Sequence, residues 1–296
     1  MRAIASVNSR DVVVARLSAA YVAGVAEHSL RLEVNTWPKP GLVSHIDSGS
    51  HTDMDAGTLC RSAKALRPFF AELVEAGARD ETMTALRRIG LRAERAMRGA
   101  VGGVNTHRGA IFGLGLLCAA AGLRARDHAD RQLPLGVLVS QRWGGDILGG
   151  PRLPESHGEV ANRRFGAGGA RWEAAQGFPS VYRIGLPALR QASRQVPYDA
   201  EASRVQACFA LVAAVEDTNL LHRGGAEGLR FAQDTAQEFL DQGGIGQAEW
   251  RRRAEAVHHA FIKRNLSPGG AADLLAMSIF VMQLERSTAA LERLGR

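Results

Sequence analysis

The chain has 296 residues, 46% of them hydrophobic and 23% charged, a balance that affords a large core and excludes a disordered or purely fibrous chain. Its formal net charge of +7 comes almost wholly from arginine, with lysine only at Lys39, Lys64 and Lys263, and acids are interleaved throughout. Without a long basic run or base-stacking aromatics, a nucleic-acid-binding stripe is excluded. Cys60, Cys118 and Cys208 are odd in number and far apart, which argues against a disulfide framework or a zinc site and for a reducing compartment. Arg2, Arg10, Asp11 and Arg16 interrupt any signal-peptide core, and the apolar run Gly109 to Leu123 is short for a bilayer. The expectation is a cytoplasmic protein with no membrane partner.

In chain order, apolar periodicity predicts a helix over Val12 to Val34, ended by the breaker Pro38-Lys39-Pro40-Gly41. Helices follow over Gly57 to Ala76, Glu81 to Arg98 and, after Gly99, Gly102 and Gly103, Thr106 to Ala121. A short one is expected over Asp127 to Gln141. Residues 142–200 are rich in glycine and proline, and loops with short helices are expected there, one around Ala170 to Gln176. Helices resume over Ala202 to Glu216, Glu227 to Leu240, Gln247 to Arg264 and Ala271 to Leu294. Strand signals are nearly absent. The fold class is therefore all-α, with one multi-helix domain over residues 1–296 and a Gly/Pro-rich loop region in the middle.

Five clusters interrupt this pattern. Trp37 to Asp55 holds Lys39 in a stiff loop and brings His51, Asp53 and Asp55 together just before a helix; these acids suit a magnesium ion, with Glu33 close by in sequence, or one of them caps the helix. Gly102 to Ala110 leads glycines into a helix start bearing Asn105, Thr106, His107 and Arg108, either an anion site or a plain cap. Ser156 to Glu173 sets Arg163, Arg164 and Arg171 among glycines, a loop able to fold around an anion or merely flexible. Glu216 to Gly225 ends a helix with Asp217, Asn219, His222 and Arg223, more polar groups than a C-cap needs. In Asn265 to Asp273, Ser267 and Pro268 start a helix whose first turn is Gly269-Gly270, and Asp273 stands on an otherwise apolar helix, where an acid needs a partner. Together these suit a nucleotide phosphate held by arginine and lysine at helix ends, with magnesium bridging to carboxylates. No Walker A or GxGxxG pattern is present.

At these same clusters the chain resembles the triphosphoribosyl-dephospho-CoA synthases. The matching stretches are Pro38 to Val43 with His51 to Asp55, Gly103 to Leu117, Gly169 to Val181, Asp217 to Gly225 and Ser267 to Ala276. Ser44, Thr52 and Gly113 depart from the family pattern as the citrate lyase branch shows it. The Thr36 to His51 form looks more like the malonate decarboxylase branch. The resemblance implies that ATP and 3′-dephospho-CoA give 2′-(5″-triphosphoribosyl)-3′-dephospho-CoA and adenine. The product would pass to the transferase that forms a holo carrier protein, and the reading leaves room for a homodimer. Asp53, Asp55, Asp217 and His51 are then the candidates for proton transfer. Lys39, Asn105, Thr106, His107, Arg108, Arg171, Arg223, Ser267, Gly269 and Gly270 would hold the nucleotide. Glu33, Asp53, Asp55 and Asp217 would hold magnesium. A magnesium-dependent N-ribosyl hydrolase and a non-enzymatic helical assembly factor are the competing readings.

Overall fold

The structure is a computed structural model that describes residues 18–126, 133–152 and 157–294, and every regular element among them is helical. The N-terminal half carries α1 (Ala19–Val34), α2 (Ala56–Ala78), α3 (Met83–Ala100), α4 (Arg108–Arg126) and α5 (Leu135–Gly149). Next come α6 (His157–Phe165), α7 (Gly169–Ala175), a π-helical turn (Val181–Gly185) and α8 (Leu186–Gln195). The C-terminal half holds α9 (Ala200–Ala214), α10 (Thr218–Asp241), a 3₁₀ turn (Gly244–Gly246), α11 (Trp250–Lys263) and α12 (Gly269–Leu294). α1, α3, α5 and α12 surround the pair α2–α4; α12 also packs on α8, α9 and α10, so it joins the two halves around one apolar core.

α4 is the spine of that core. Its small residues let backbones touch: a methyl group on Gly77 of α2 would lie 1.8 Å from the Ala119 carbonyl oxygen, and one on Gly122 would lie 1.9 Å from that of Val74. Helices this close exclude side chains from the contact, and Leu66, Phe70, Leu114 and Leu117 fill the space beside it. Although α4 is long and apolar enough to cross a membrane, 72% of its apolar stretch is buried inside the molecule.

Several expected boundaries shift. The stretches 12–17 and 127–132 of two expected helices lie outside the described residues. α5 runs to Gly149, past the expected end at Gln141 and through Gly144, Gly145 and Gly149, which were read as loop; of these Gly144 faces another backbone, where a methyl would meet the Ala175 carbonyl at 3.0 Å, as one on Gly136 earlier in the helix would meet that of Gly177 at 2.1 Å. Close packing requires glycine at 136 and 144, while Gly145 and Gly149 face open space. The Gly/Pro-rich middle is thus mostly short helices rather than loop. The helix expected to run to Glu216 stops at Ala214, and Asp217 starts the next one. Gly224 and Gly225 do not end it; α10 bends at Gly225, where φ is +61° and glycine escapes the Cβ clash of left-handed backbone.

Candidate active site

The starts of α4, α10 and α12 converge. Asp217 caps its own helix, accepting from the Asn219 amide at 2.8 Å, and also accepts from the Ala271 amide of α12 at 2.9 Å. Asp273, one turn into α12, accepts from the Ala110 amide in the first turn of α4. Two acids therefore tie three helix starts together. Glycine makes this possible: a methyl on Gly109 would sit 2.0 Å from Asp273 Oδ2, and one on Gly270 would sit 3.0 Å from Asp217 Oδ2. Burial pushes the Asp217 carboxyl above the usual range, against the pull of four backbone amides.

The 37–55 loop closes one side. His258 of α11 pins it, with Nδ1 on the Lys39 carbonyl and Nε2 at 3.0 Å from Asp47 Oδ2. Ser50 Oγ donates to the Leu266 carbonyl at 2.7 Å, and Arg223 donates to the Ser50 carbonyl at 3.0 Å and to Asn265 Oδ1 at 2.9 Å. Between loop and helix starts lies an open cleft of about 490 Å³ lined by His51, Asp53, His222, Arg223 and Asn265. His51 Nε2 lies 2.9 Å from Ser267 Oγ, and Nδ1 lies 3.5 Å from Asp53. Burial, and next the Arg223 guanidinium, holds the His51 imidazole below its usual range, so it is neutral at neutral pH. The order Ser267, His51, Asp53 is that of a hydrolytic triad, but Ser267 is buried and serves to orient the ring.

The expected nucleotide and metal residues divide. His51, Asp53 and Arg223 line this cleft and Ser267 touches it through His51, whereas Gly269 and Gly270 pack against Asn219 and Asp217. Lys39 was expected to face phosphate; instead it is 0% exposed and its ammonium pairs with the Glu33 carboxylate and donates to the Glu33 carbonyl at 2.7 Å. A buried ammonium requires such a partner, so Lys39 and Glu33 occupy each other. Asp55 is the cap of α2: its Oδ1 accepts from the Thr58 amide and hydroxyl, both at 2.7 Å, and the amide bond leads in lowering its proton affinity. Arg171 holds the end of α5 rather than an anion, donating to the carbonyls of Ile147, Leu148, Gly150 and Pro151. Arg163 and Arg164 belong to α6, not to a glycine loop. Arg108 rests 3.6 Å from Glu94 of α3.

At the start of α4, Asn105 is exposed, Thr106 donates to Ser62 Oγ at 2.7 Å, and Ser62 Oγ lies 2.6 Å from His107 Nδ1. His107 is 5% exposed, and burial, then Lys39, lowers it to about 4. Among the described residues no group of three His, Cys, Asp or Glu side chains has metal-binding geometry. Asp53, 58% exposed at its side chain, keeps an oxygen for a hard cation that brings most of its ligands from a substrate, the way magnesium binds nucleotides. Sequence reasoning flagged Asp273 as needing a partner but gave it no role in the site. It missed Ser62, Asp47 and His258 altogether, because the contacts Ser62–His107 and Asp47–His258 span 45 and 211 residues of sequence.

Comparison with known proteins agrees with the cluster pattern. Residues 19–291 match the family model for ATP:dephospho-CoA triphosphoribosyl transferase. The chain is 42% identical over 268 residues to a probable 2-(5''-triphosphoribosyl)-3'-dephosphocoenzyme-A synthase of Azotobacter vinelandii, covering 89% of this chain and 91% of that one. A probable synthase of the same name from Pseudomonas fluorescens strain Pf0-1 is 39% identical, covering 90% and 92%. One from Acinetobacter calcoaceticus is 34% identical, covering 88% and 93%. No solved structure matches.

Proposed function

Since the chain belongs to the ATP:dephospho-CoA triphosphoribosyl transferase family, a family of ribosyl transferases that use ATP and dephospho-CoA, we propose that the cleft beside His51 is where the ribosyl group changes hands. The 2′-hydroxyl of dephospho-CoA attacks the ribose C1″ of ATP, adenine leaves, and the triphosphate stays on the transferred sugar. The observation that carries the reading is the neutral His51 between Ser267 and Asp53, beside Arg223. His51 Nε2 is held by Ser267, so its Nδ1, on the Asp53 side, takes the proton of the attacking hydroxyl, and the Asp53 carboxylate steadies the imidazolium that forms. Arg223, Asn105 and Thr106 hold the triphosphate, Arg223 through its fork geometry. The free oxygen of Asp53 would hold magnesium together with the phosphates, and the ion would offset their charge.

The Thr36 to His51 form of the loop, with Ser44 after Leu42-Val43, supports product delivery to malonate decarboxylase rather than citrate lyase. Cys60, Cys118 and Cys208, all free thiols, support a reducing, cytoplasmic setting. The test is to incubate the protein with ATP, magnesium and dephospho-CoA and follow adenine by chromatography. Adenine only with both substrates supports the reading; adenine from ATP alone points to an N-ribosyl hydrolase, and ADP or AMP overturns it. His51→Gln should lower turnover by about 10²–10⁴. Offering the product, with the matching transferase, to carrier subunits of each complex decides the branch.

A further inference from the structure

The chain that leads from α11 into α12 meets the cleft with three residues in a row. Asn265 accepts from Arg223 Nη1, through Oδ1 at 2.9 Å and through its carbonyl at 3.1 Å. The Leu266 carbonyl accepts from Ser50 Oγ at 2.7 Å, and Ser267 Oγ lies 2.9 Å from His51 Nε2. The chain turns at Asn265, whose backbone is left-handed with φ +53°. This closes α11 with the two hydrogen bonds of a Schellman cap, Asn265 N–H to the Ile262 carbonyl at 2.9 Å and Leu266 N–H to the Phe261 carbonyl at 3.0 Å. Glycine serves such a cap without strain, so what asparagine adds is its side chain. That side chain lines the cleft beside Arg223 and His51. Arg223 has donors only, so it takes the amide oxygen and leaves the Nδ2 hydrogens for the cleft. Among the described residues nothing accepts from Nδ2. Arg223 is itself anchored at Nη1, which also donates to the Ser50 carbonyl at 3.0 Å. Its Nη2 lies 3.4 Å from His51 Nδ1, and among the described residues no acceptor occupies its Nε.

We propose that Asn265 is a phosphate-binding residue of the transfer site: its Nδ2 hydrogens hold an oxygen of the ATP triphosphate, next to the phosphate that sits on the Nε–Nη2 edge of Arg223. The proposal rests on the ribosyl-transfer reading above. The two side chains make one corner, because the bond from Nη1 to Oδ1 fixes the guanidinium and the amide against each other before a ligand arrives. An anion bound there meets donors already in place, so little side-chain freedom is lost on binding. The amide contributes a hydrogen bond to a charged acceptor without adding a cation that would pair with Asp53 across the cleft. The chemistry of the corner suits any polyphosphate, and both substrates carry one: ATP a triphosphate, dephospho-CoA a pyrophosphate. Asp53 lines the same cleft and suits the magnesium ion that a triphosphate brings with it, which assigns the corner to ATP.

The experiment is steady-state kinetics of Asn265→Gly, with ATP and dephospho-CoA varied in turn and adenine as the readout. Glycine keeps the left-handed turn and the carbonyl bond to Arg223 and removes only the amide, so the variant should fold with unchanged helicity. KM for ATP should rise about tenfold, with kcat and KM for dephospho-CoA within about twofold, as the loss of one hydrogen bond to a charged group requires. In an Arg223→Gln background the same substitution should still raise KM for ATP by about fivefold. No further rise there would mean that Asn265 acts only by placing Arg223, and would overturn the proposal. Asn265→Asp also tolerates the left-handed backbone but turns the Nδ2 donor into an acceptor. It should raise KM for ATP further than glycine does, and it carries the test should Asn265→Gly not fold. An unchanged KM for ATP, or a fall in kcat alone, would refute the assignment. A rise confined to KM for dephospho-CoA would give the corner to the acceptor's pyrophosphate and refute it as well. A wild-type protein that releases no adenine from ATP and dephospho-CoA would defeat the transfer reading itself.

Discussion

At the scale of single residues, two buried groups make the protein depend on pH and on pairing. His107 titrates near 4 when folded and at 6.5 when free, because burial and the Lys39 charge disfavour the imidazolium. The unfolded chain therefore binds its proton first as pH falls. Stability is complete above 6.5 and is lost as pH drops toward 4, by about 3 kcal/mol over the window. His51 is shifted in the same direction. His107→Asn should flatten the dependence of urea-unfolding free energy on pH between 6.5 and 4; an unchanged slope would refute the assignment. Lys39 and Glu33 pair at the core. Lys39→Met leaves Glu33 buried without a counter-charge and should cost about 3–5 kcal/mol in urea unfolding, with most of it recovered by adding Glu33→Gln. A phosphate-binding Lys39 would instead show its loss in KM at unchanged stability.

At the scale of elements, glycine decides how near helices come. Gly77→Ala should destabilise by about 1–3 kcal/mol, because its methyl has only the Ala119 carbonyl to enter, while KM for both substrates stays constant. Thermal unfolding with steady-state kinetics would separate the two effects. Arg171 acts on an element as well: it collects the carbonyls left open where α5 ends. How much could be seen in the sequence follows the same division. Helices with a one-sided apolar stripe, such as α2 and α3, were legible because periodicity is local. Only the first half of α5 was legible; its continuation past Gln141 was not, since Gly144 answers to Ala175, which approaches only in the folded chain. The clusters around His51, Asp217 and Gly269 were legible as unusual chemistry. That Asp55 would cap while Asp53 faced the cleft was not, because both acids have the same type and neighbourhood and only the helix start, placed by Thr58, distinguishes them.

At the scale of the whole molecule, the net charge of +7 favours approach of a polyanionic nucleotide. kcat/KM for ATP should fall as ionic strength rises, and Arg223→Gln should weaken ATP binding and make that fall shallower; a salt-independent kcat/KM would count against electrostatic approach. The larger property lies in how the helix starts are tied. Asp217 couples α10 to α12 through the Ala271 amide, and Asp273 couples α12 to α4 through the Ala110 amide. None of these amides can be released to water while the other helices hold still. Their hydrogens should then exchange with deuterium as a group, on the clock of one shared opening, even though they are spread over more than 150 positions of the chain.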